Sequence, residues 1–203
     1  MVMFYSIEGN IGSGKSTLIE ILKNQKNILF LPEPVDSWNE IKDTSGVTIL
    51  EKYYQDQKRY AFPFQMMAYI TRINLIKNMN FPPDSIVISE RSIYTDREIF
   101  AKMLYESGDI GEIEYQIYLK YFEDIKLDGI IYVKTTPDIC LKRIEKRNRK
   151  GEETIPLCYL ANCHSFHEKW IKNTDVPILF VDGNREGVSD DTILKINDFV
   201  KNN

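Results

Sequence analysis

The chain has 203 residues, 43% of them hydrophobic and 28% charged, with a formal net charge of −4. That length suits one domain over residues 1–203 with a full core, and the acidic balance excludes a nucleic-acid-coating protein. No apolar run reaches the length of a membrane span, the N-terminus enters a strand directly, and the three cysteines sit at unrelated spacings, so the reading is a cytoplasmic protein with reduced thiols, without signal or transit peptide, disulfide framework or zinc pattern.

Taken in order, Met3 to Ile7 reads as a short apolar strand, followed by a glycine-rich turn and a helix. Gly9, Gly14, Lys15 and Ser16 satisfy the spacing G-x-x-x-x-G-K-[ST], with Gly12 as a further glycine inside the loop. Glycines let backbone N–H groups converge on an anion, and the helix beginning near Lys15 adds its positive end. The Lys15 ammonium suits the outer phosphates and the Ser16 hydroxyl suits Mg²⁺. Gly9, Asn10, Ile11, Gly12, Ser13, Gly14, Lys15, Ser16 and Thr17 are therefore the predicted cradle of a nucleoside triphosphate.

The first helix is expected to end around Asn24 to Asn27, and Ile28 to Leu31 reads as a buried strand closed by Pro32 and Pro34. Glu33, fixed between those prolines at a strand end, is a candidate for chemistry, because strand ends face the ligand crevice in an open α/β sheet. Val47 to Tyr54 reads as a short helical piece, and Gln57 to Asn80 as a long one that Pro63 bends or breaks near its start. Gln65 and Arg72 lie seven apart, on one face with Ala68 between them.

Ser85 to Ser89 is a third strand, with Glu90-Arg91-Ser92 after its end and a helix to about Glu106. A turn at Gly108 to Gly111 leads into a helix over Glu112 to Lys126, rich in aromatic residues. Gly129 to Thr135 is a fourth strand, and Pro137 opens a helix that carries Arg143, Arg147, Arg149 and Lys150 and stops at Gly151. A helix to about Asn173, a fifth strand over Pro177 to Val181 and an amphipathic helix over Ser189 to Lys201 complete the chain. His164 and His167, three apart, have no third ligand nearby and are taken as ordinary helix residues. Alternating strands and helices predict an α/β fold with a five-stranded parallel sheet covered on both faces.

The loop EGNIGSGKST, the stretch EPV-x-x-W (Glu33 to Trp38), the triplet Pro63 to Gln65 and Glu90-Arg91-Ser92 occur in one order. They are followed by R-x-x-x-R-x-R, an acidic pair and I-P-L-x-Y-L, from Arg143 to Leu160. In this the chain resembles the deoxyribonucleoside kinase family over nearly its whole length. The resemblance implies a P-loop kinase with a mobile lid at about 143–155, ATP as donor, Mg²⁺, a homodimer, and no nucleic-acid or membrane partner. It casts Glu33 as the base that takes the proton of the deoxyribose 5′-hydroxyl. Arg91 would hold that oxygen and Glu33, and Glu90 would attend Mg²⁺ beside Ser16. Lys15, Arg143 and Arg147 would place positive charge around the moving phosphate.

For the substrate, the resemblance implies a base pocket of Trp38, Phe64, Gln65, Ala68, Arg72, Asp96 and Phe100. Tyr54 and Glu152 would meet the sugar 3′-hydroxyl, with Glu153 as the alternative, since Gly151 stands where an acidic residue is usual. The charged pair Arg72 and Asp96 implies deoxyadenosine, deoxyguanosine or deoxycytidine over thymidine, a thymidine-preferring kinase being the alternative. A nucleoside monophosphate kinase would need a basic site where Glu33 stands, and a non-catalytic nucleotide-binding subunit has no use for a base.

Overall fold

A computed structural model describes residues 2–23 and 28–202; the expected end of the first helix at Asn24 to Asn27 lies outside the described residues. Five strands, β1 (Met3–Glu8), β2 (Ile28–Leu31), β3 (Ile86–Glu90), β4 (Gly129–Lys134) and β5 (Ile178–Asp182), form one sheet in the order β2-β3-β1-β4-β5. Every pairing is parallel, as the alternation of strands and helices predicts. The register sets Ile7 beside Glu90 and Leu31 beside Ser89. The segments that follow β1, β2 and β3 therefore leave the sheet side by side, and with them the P-loop, Glu33 and Arg91.

One face of the sheet is covered by α1 (Lys15–Leu22) and α9 (Asp190–Asn202), whose Leu18, Leu22, Ile196 and Val200 pack with Tyr5, Ile7, Ile88 and Ile131. On the other face Ile130 and Tyr132 meet Ile171 of α8 (Leu157–Asn173). A further core joins α2 (Val35–Glu40), α3 (Ile49–Gln55), α4 (Gln57–Asn78), α7 (Pro137–Arg147) and α8 through Trp38, Leu50, Phe64, Ile144 and Leu160. Among the described residues no helix is long and apolar enough to cross a membrane, and all three cysteines are free.

Several element ends differ from expectation. α4 runs unbroken through Pro63, where burial of Ala61 and Phe64 on either side outweighs the missing backbone donor. Between β3 and α5 (Lys102–Glu106) the chain winds as a π-helix over Thr95–Ala101, a wide turn common at functional sites. α6 (Glu112–Lys120) stops short of the expected Lys126. The Tyr69 hydroxyl accepts from the Glu123 amide at 2.8 Å and donates to the Tyr121 carbonyl at 2.9 Å, so a tertiary contact replaces helical bonds there. α7 ends at Arg147 rather than Gly151, because Asn148 turns left-handed at φ 49° and leaves Arg149 and Lys150 in the loop.

Candidate active site

The P-loop leaves β1 with Gly9 at φ +145°, where a Cβ would stand 2.5 Å from the Val133 carbonyl oxygen. Gly12 at φ +75° lies so close to α7 that a Cβ would meet the Cys140 carbonyl at 2.6 Å. Only glycine fits either position. Asn10 is a brace within this loop: its amide donates to the Leu160 carbonyl at 2.8 Å and its side-chain oxygen accepts from the Ile11 N–H. The Lys15 ammonium rests on the Asn10 carbonyl at 2.7 Å. Burial, then repulsion from Arg91, lowers the Lys15 pKa to about 8. That stored cost is relieved by an anion, which is what the loop is shaped to take.

Ile11, Gly12, Gly14, Lys15, Ser16 and Thr17 open onto a cavity of about 550 Å³, large enough for a nucleoside and part of a triphosphate. At its floor the Ser16 hydroxyl donates to Glu90 Oε1 at 2.6 Å. A hydroxyl and a carboxylate converging at the end of the phosphate loop are oxygen donors of the kind Mg²⁺ takes, so the residues present fit that ion.

Glu33 sits half-buried in the same cavity, where its Oε1 meets Arg91 Nε at 3.2 Å and Arg72 Nη2 at 3.3 Å. Burial alone would raise the Glu33 pKa, but Arg91, then Arg72, Lys15 and Arg149, outweigh it and hold it below its ordinary value of 4.5. Arg91 is itself at φ +62°, an unfavourable backbone for arginine. Its Nη1 donates to the Gly9 carbonyl at 2.9 Å and its guanidinium lies 5.0 Å from the centre of the Phe100 ring. The link from Arg72 to Glu33 carries no sequence signal, since 39 residues separate them and no motif couples them.

Deeper in, Arg72 Nε donates to Asp96 Oδ2 at 2.9 Å and Nη1 donates to the Glu90 carbonyl at 2.8 Å. Both side chains are 3% exposed, so each offsets a desolvation the other could not bear alone. Burial nevertheless raises the Asp96 pKa, against the pull of Arg72. Trp38, Phe64, Gln65, Ala68, Asp96 and Phe100 line the cavity, whereas Arg72, expected in the same pocket, lies behind Asp96 and does not line it. Trp38 packs edge-on to Phe64 at 5.4 Å and donates from Nε1 to Thr71 Oγ1, while Tyr53 stacks on Phe64 at 4.6 Å. Val35, Leu50, Tyr53 and Tyr159 also line the cavity and were not singled out from sequence. Tyr159 had a signal, as the tyrosine of I-P-L-x-Y-L, and its hydroxyl lies 2.7 Å from that of Tyr53.

The loop after α7 borders the cavity. Glu152 is buried, lines the cavity with Tyr54, and is held by Arg147 and by Arg149 at 3.2 Å. Glu153 instead accepts from the Gly151 amide at 2.7 Å and faces solvent. Of the two carboxylates only Glu152 reaches the cavity. Arg143 Nη1 donates to the Ser13 carbonyl at 3.1 Å and Nη2 to the Arg185 carbonyl at 3.0 Å, tying the P-loop to the segment between β5 and α9. Those contacts border a second cavity of about 300 Å³ on the outer side of the P-loop, lined by Thr17, Arg143, Lys146, Asp182, Arg185 and Val188 among others. No sequence motif marks the β5–α9 segment.

A family model described as deoxynucleoside kinase matches residues 5–201. A probable deoxycytidine kinase of Fowlpox virus (strain NVSL) is 41% identical, the match covering 91% of this chain and 80% of that one. The deoxycytidine kinase of Bos taurus is 36% identical over 96% of this chain and 90% of its own length. The mitochondrial deoxyguanosine kinase of Xenopus laevis is 36% identical over 84% and 74%. Phosphate loop, strand-end carboxylate, paired arginines and relatives agree: the chain belongs to the deoxynucleoside kinase family, phosphotransferases that move a phosphoryl group from ATP to a deoxynucleoside.

Proposed function

We propose that the enzyme phosphorylates the 5′-hydroxyl of deoxyadenosine, deoxyguanosine or deoxycytidine in preference to thymidine. The observation that carries this is the buried Arg72–Asp96 pair, in which Asp96 lines the cavity and Arg72 holds it from behind. Its hydrogen bond occupies Asp96 Oδ2 and leaves Oδ1 to accept from an exocyclic amino group, while Arg72 fixes that carboxylate in its ionised, accepting orientation. Thymine would set a carbonyl against the carboxylate. Relatives named as deoxycytidine and deoxyguanosine kinases accord with that preference.

In this reading Gln65 meets the base edge, Phe64 and Phe100 flank the ring, and Tyr54 with Glu152 takes the 3′-hydroxyl. Glu33 receives the 5′-hydroxyl proton as oxygen attacks the γ-phosphate, and Arg91 holds both the oxygen and Glu33 in line. A carboxylate with a depressed pKa is a weak base, which suffices because a loose phosphoryl-transfer transition state asks for the proton late. Lys15 and Arg147 gather charge on the phosphates, with Arg143 bracing the loop. Ser16 and Glu90 would hold Mg²⁺, which would supply charge neutralisation when bound. The exposed residues Ile113, Ile117 and Tyr121, spaced four apart on and just beyond α6, support a homodimer through this face. The free thiols accord with a reducing, cytoplasmic setting.

The experiment is ADP release with each of the four deoxynucleosides and each monophosphate. Turnover with deoxyadenosine, deoxyguanosine or deoxycytidine above thymidine is expected, with no turnover on monophosphates. Thymidine as best substrate would overturn the base preference, and a monophosphate as best acceptor would overturn the acceptor assignment.

A further inference from the structure

Glu8, the last residue of β1, is fully buried, and the site as described above leaves it without a role. A carboxylate out of water must be bound on its oxygens to be tolerated. Glu8 Oε1 accepts from the Ser92 hydroxyl at 2.7 Å, and Oε2 accepts from the Thr95 hydroxyl. Those two hydroxyls belong to the residue after Arg91 and to the first turn of the π-helix that carries Asp96 and Phe100. On its own strand, Glu8 lies between the two carbonyls that fix Arg91. The Ile7 carbonyl accepts from the Arg91 backbone N–H at 3.0 Å, and the Gly9 carbonyl accepts from its Nη1 at 2.9 Å.

We infer that Glu8 is a positioning residue for Arg91. It clamps the turn after β3 from below, through Ser92 and Thr95, so that Arg91 keeps its φ of +62° and its aim at Glu33 and the attacking oxygen. A left-handed arginine persists only where its surroundings over-determine it, and here Glu8 grips the hydroxyls of Ser92 and Thr95 that follow it. The inference rests on the assignment of Arg91 to the reacting oxygen. Glu8 touches neither substrate nor phosphate in this scheme, so its effect must pass through Arg91 and appear in turnover.

The test is a double-mutant cycle on the full chain, with Glu8→Gln, Arg91→Ala and the combined variant, each assayed for kcat and for the KM of ATP and of the deoxynucleoside. Glu8→Gln keeps the shape but offers one accepting oxygen where two hydroxyls must be held. The expected result is a loss of kcat of about tenfold or more, with ATP KM unchanged, from misplacing one reacting group. In the Arg91→Ala background the same substitution is expected to cost little further. Equal, additive losses in both backgrounds would overturn the inference and make Glu8 a purely structural residue, while leaving the Arg91 assignment standing. An Arg91→Ala enzyme with normal kcat would overturn both. Should Glu8→Gln fail to fold, Thr95→Val removes one clamp without touching Arg91 and is read in the same cycle, with the same two outcomes.

Discussion

At the scale of single residues, the site is a bargain struck among buried charges. Glu33 is paired with two guanidinium groups, and these hold its pKa below the ordinary value. Replacing it by Gln keeps its shape and removes its basicity. kcat is expected to fall about 10²-fold or more, with deoxynucleoside binding retained by calorimetry; near-normal turnover would remove Glu33 from the chemistry. Its pH behaviour follows from the same contacts. The groups facing Glu33 are Arg91, Arg72, Lys15 and Arg149, and because its pKa lies below 4.5 the base form is present at neutral pH and lost only as pH falls through that lowered value. kcat/KM for the deoxynucleoside should therefore stay level down to about pH 5. An Arg72→Met variant removes one of the cations, so its acid limb should lie at higher pH than that of the parent. Glu33 and Arg91 were legible in the sequence, one from its flanking prolines and the other from its motif. Arg72's grip on Glu33 was not, because it depends on how α4 lies across the ends of β2 and β3.

The elements show where local signals stop. Strand positions followed from short apolar runs and α4 from its length, but helix ends depended on contacts far away in sequence. α6 gives way after Lys120 because Tyr69, more than 50 residues earlier, takes over the backbone groups of Tyr121 and Glu123. α7 ends at an asparagine that tolerates a left-handed turn, within a basic run whose composition reads as helix throughout. That early stop matters for function, since it puts Arg149 in the loop, where it and Arg147 converge on Glu152. Arg147, Arg149 and Glu152 are thus tied into one cluster at the edge of the cavity. Arg147→Lys keeps the charge but loses the planar fork, and it should lower kcat more than it raises the KM for ATP. A change confined to that KM would reduce the lid to ground-state phosphate binding.

For the whole molecule, the parallel sheet was readable from alternation alone, and its order brings the ends of β2, β3 and β1 together as the floor of one site. The cavity's motif-borne walls were readable too, whereas Leu50 and Tyr53 joined them only once α3 had packed on α4. The outer face of α6 and the residue just after it leave Ile113 at 75% and Tyr121 at 64% exposure, which an isolated chain would not gain by. Equilibrium sedimentation should give a dimer, and an Ile113→Glu, Ile117→Glu variant a monomer. A monomeric parent chain would refute that arrangement.

The claim on which the account turns is that the Arg72–Asp96 pair excludes thymine. Because Arg72 also touches Glu33 and the Glu90 carbonyl, absolute rates will fall when the pair is removed, so the ratio of substrates is the quantity to read. The measurement is kcat/KM for thymidine relative to deoxycytidine, deoxyadenosine and deoxyguanosine, in the parent enzyme and in an Arg72→Met, Asp96→Ala variant. A site built on charged hydrogen bonds should yield a shift towards thymidine of about 10²-fold or more when they are removed. An unchanged ratio would contradict the account.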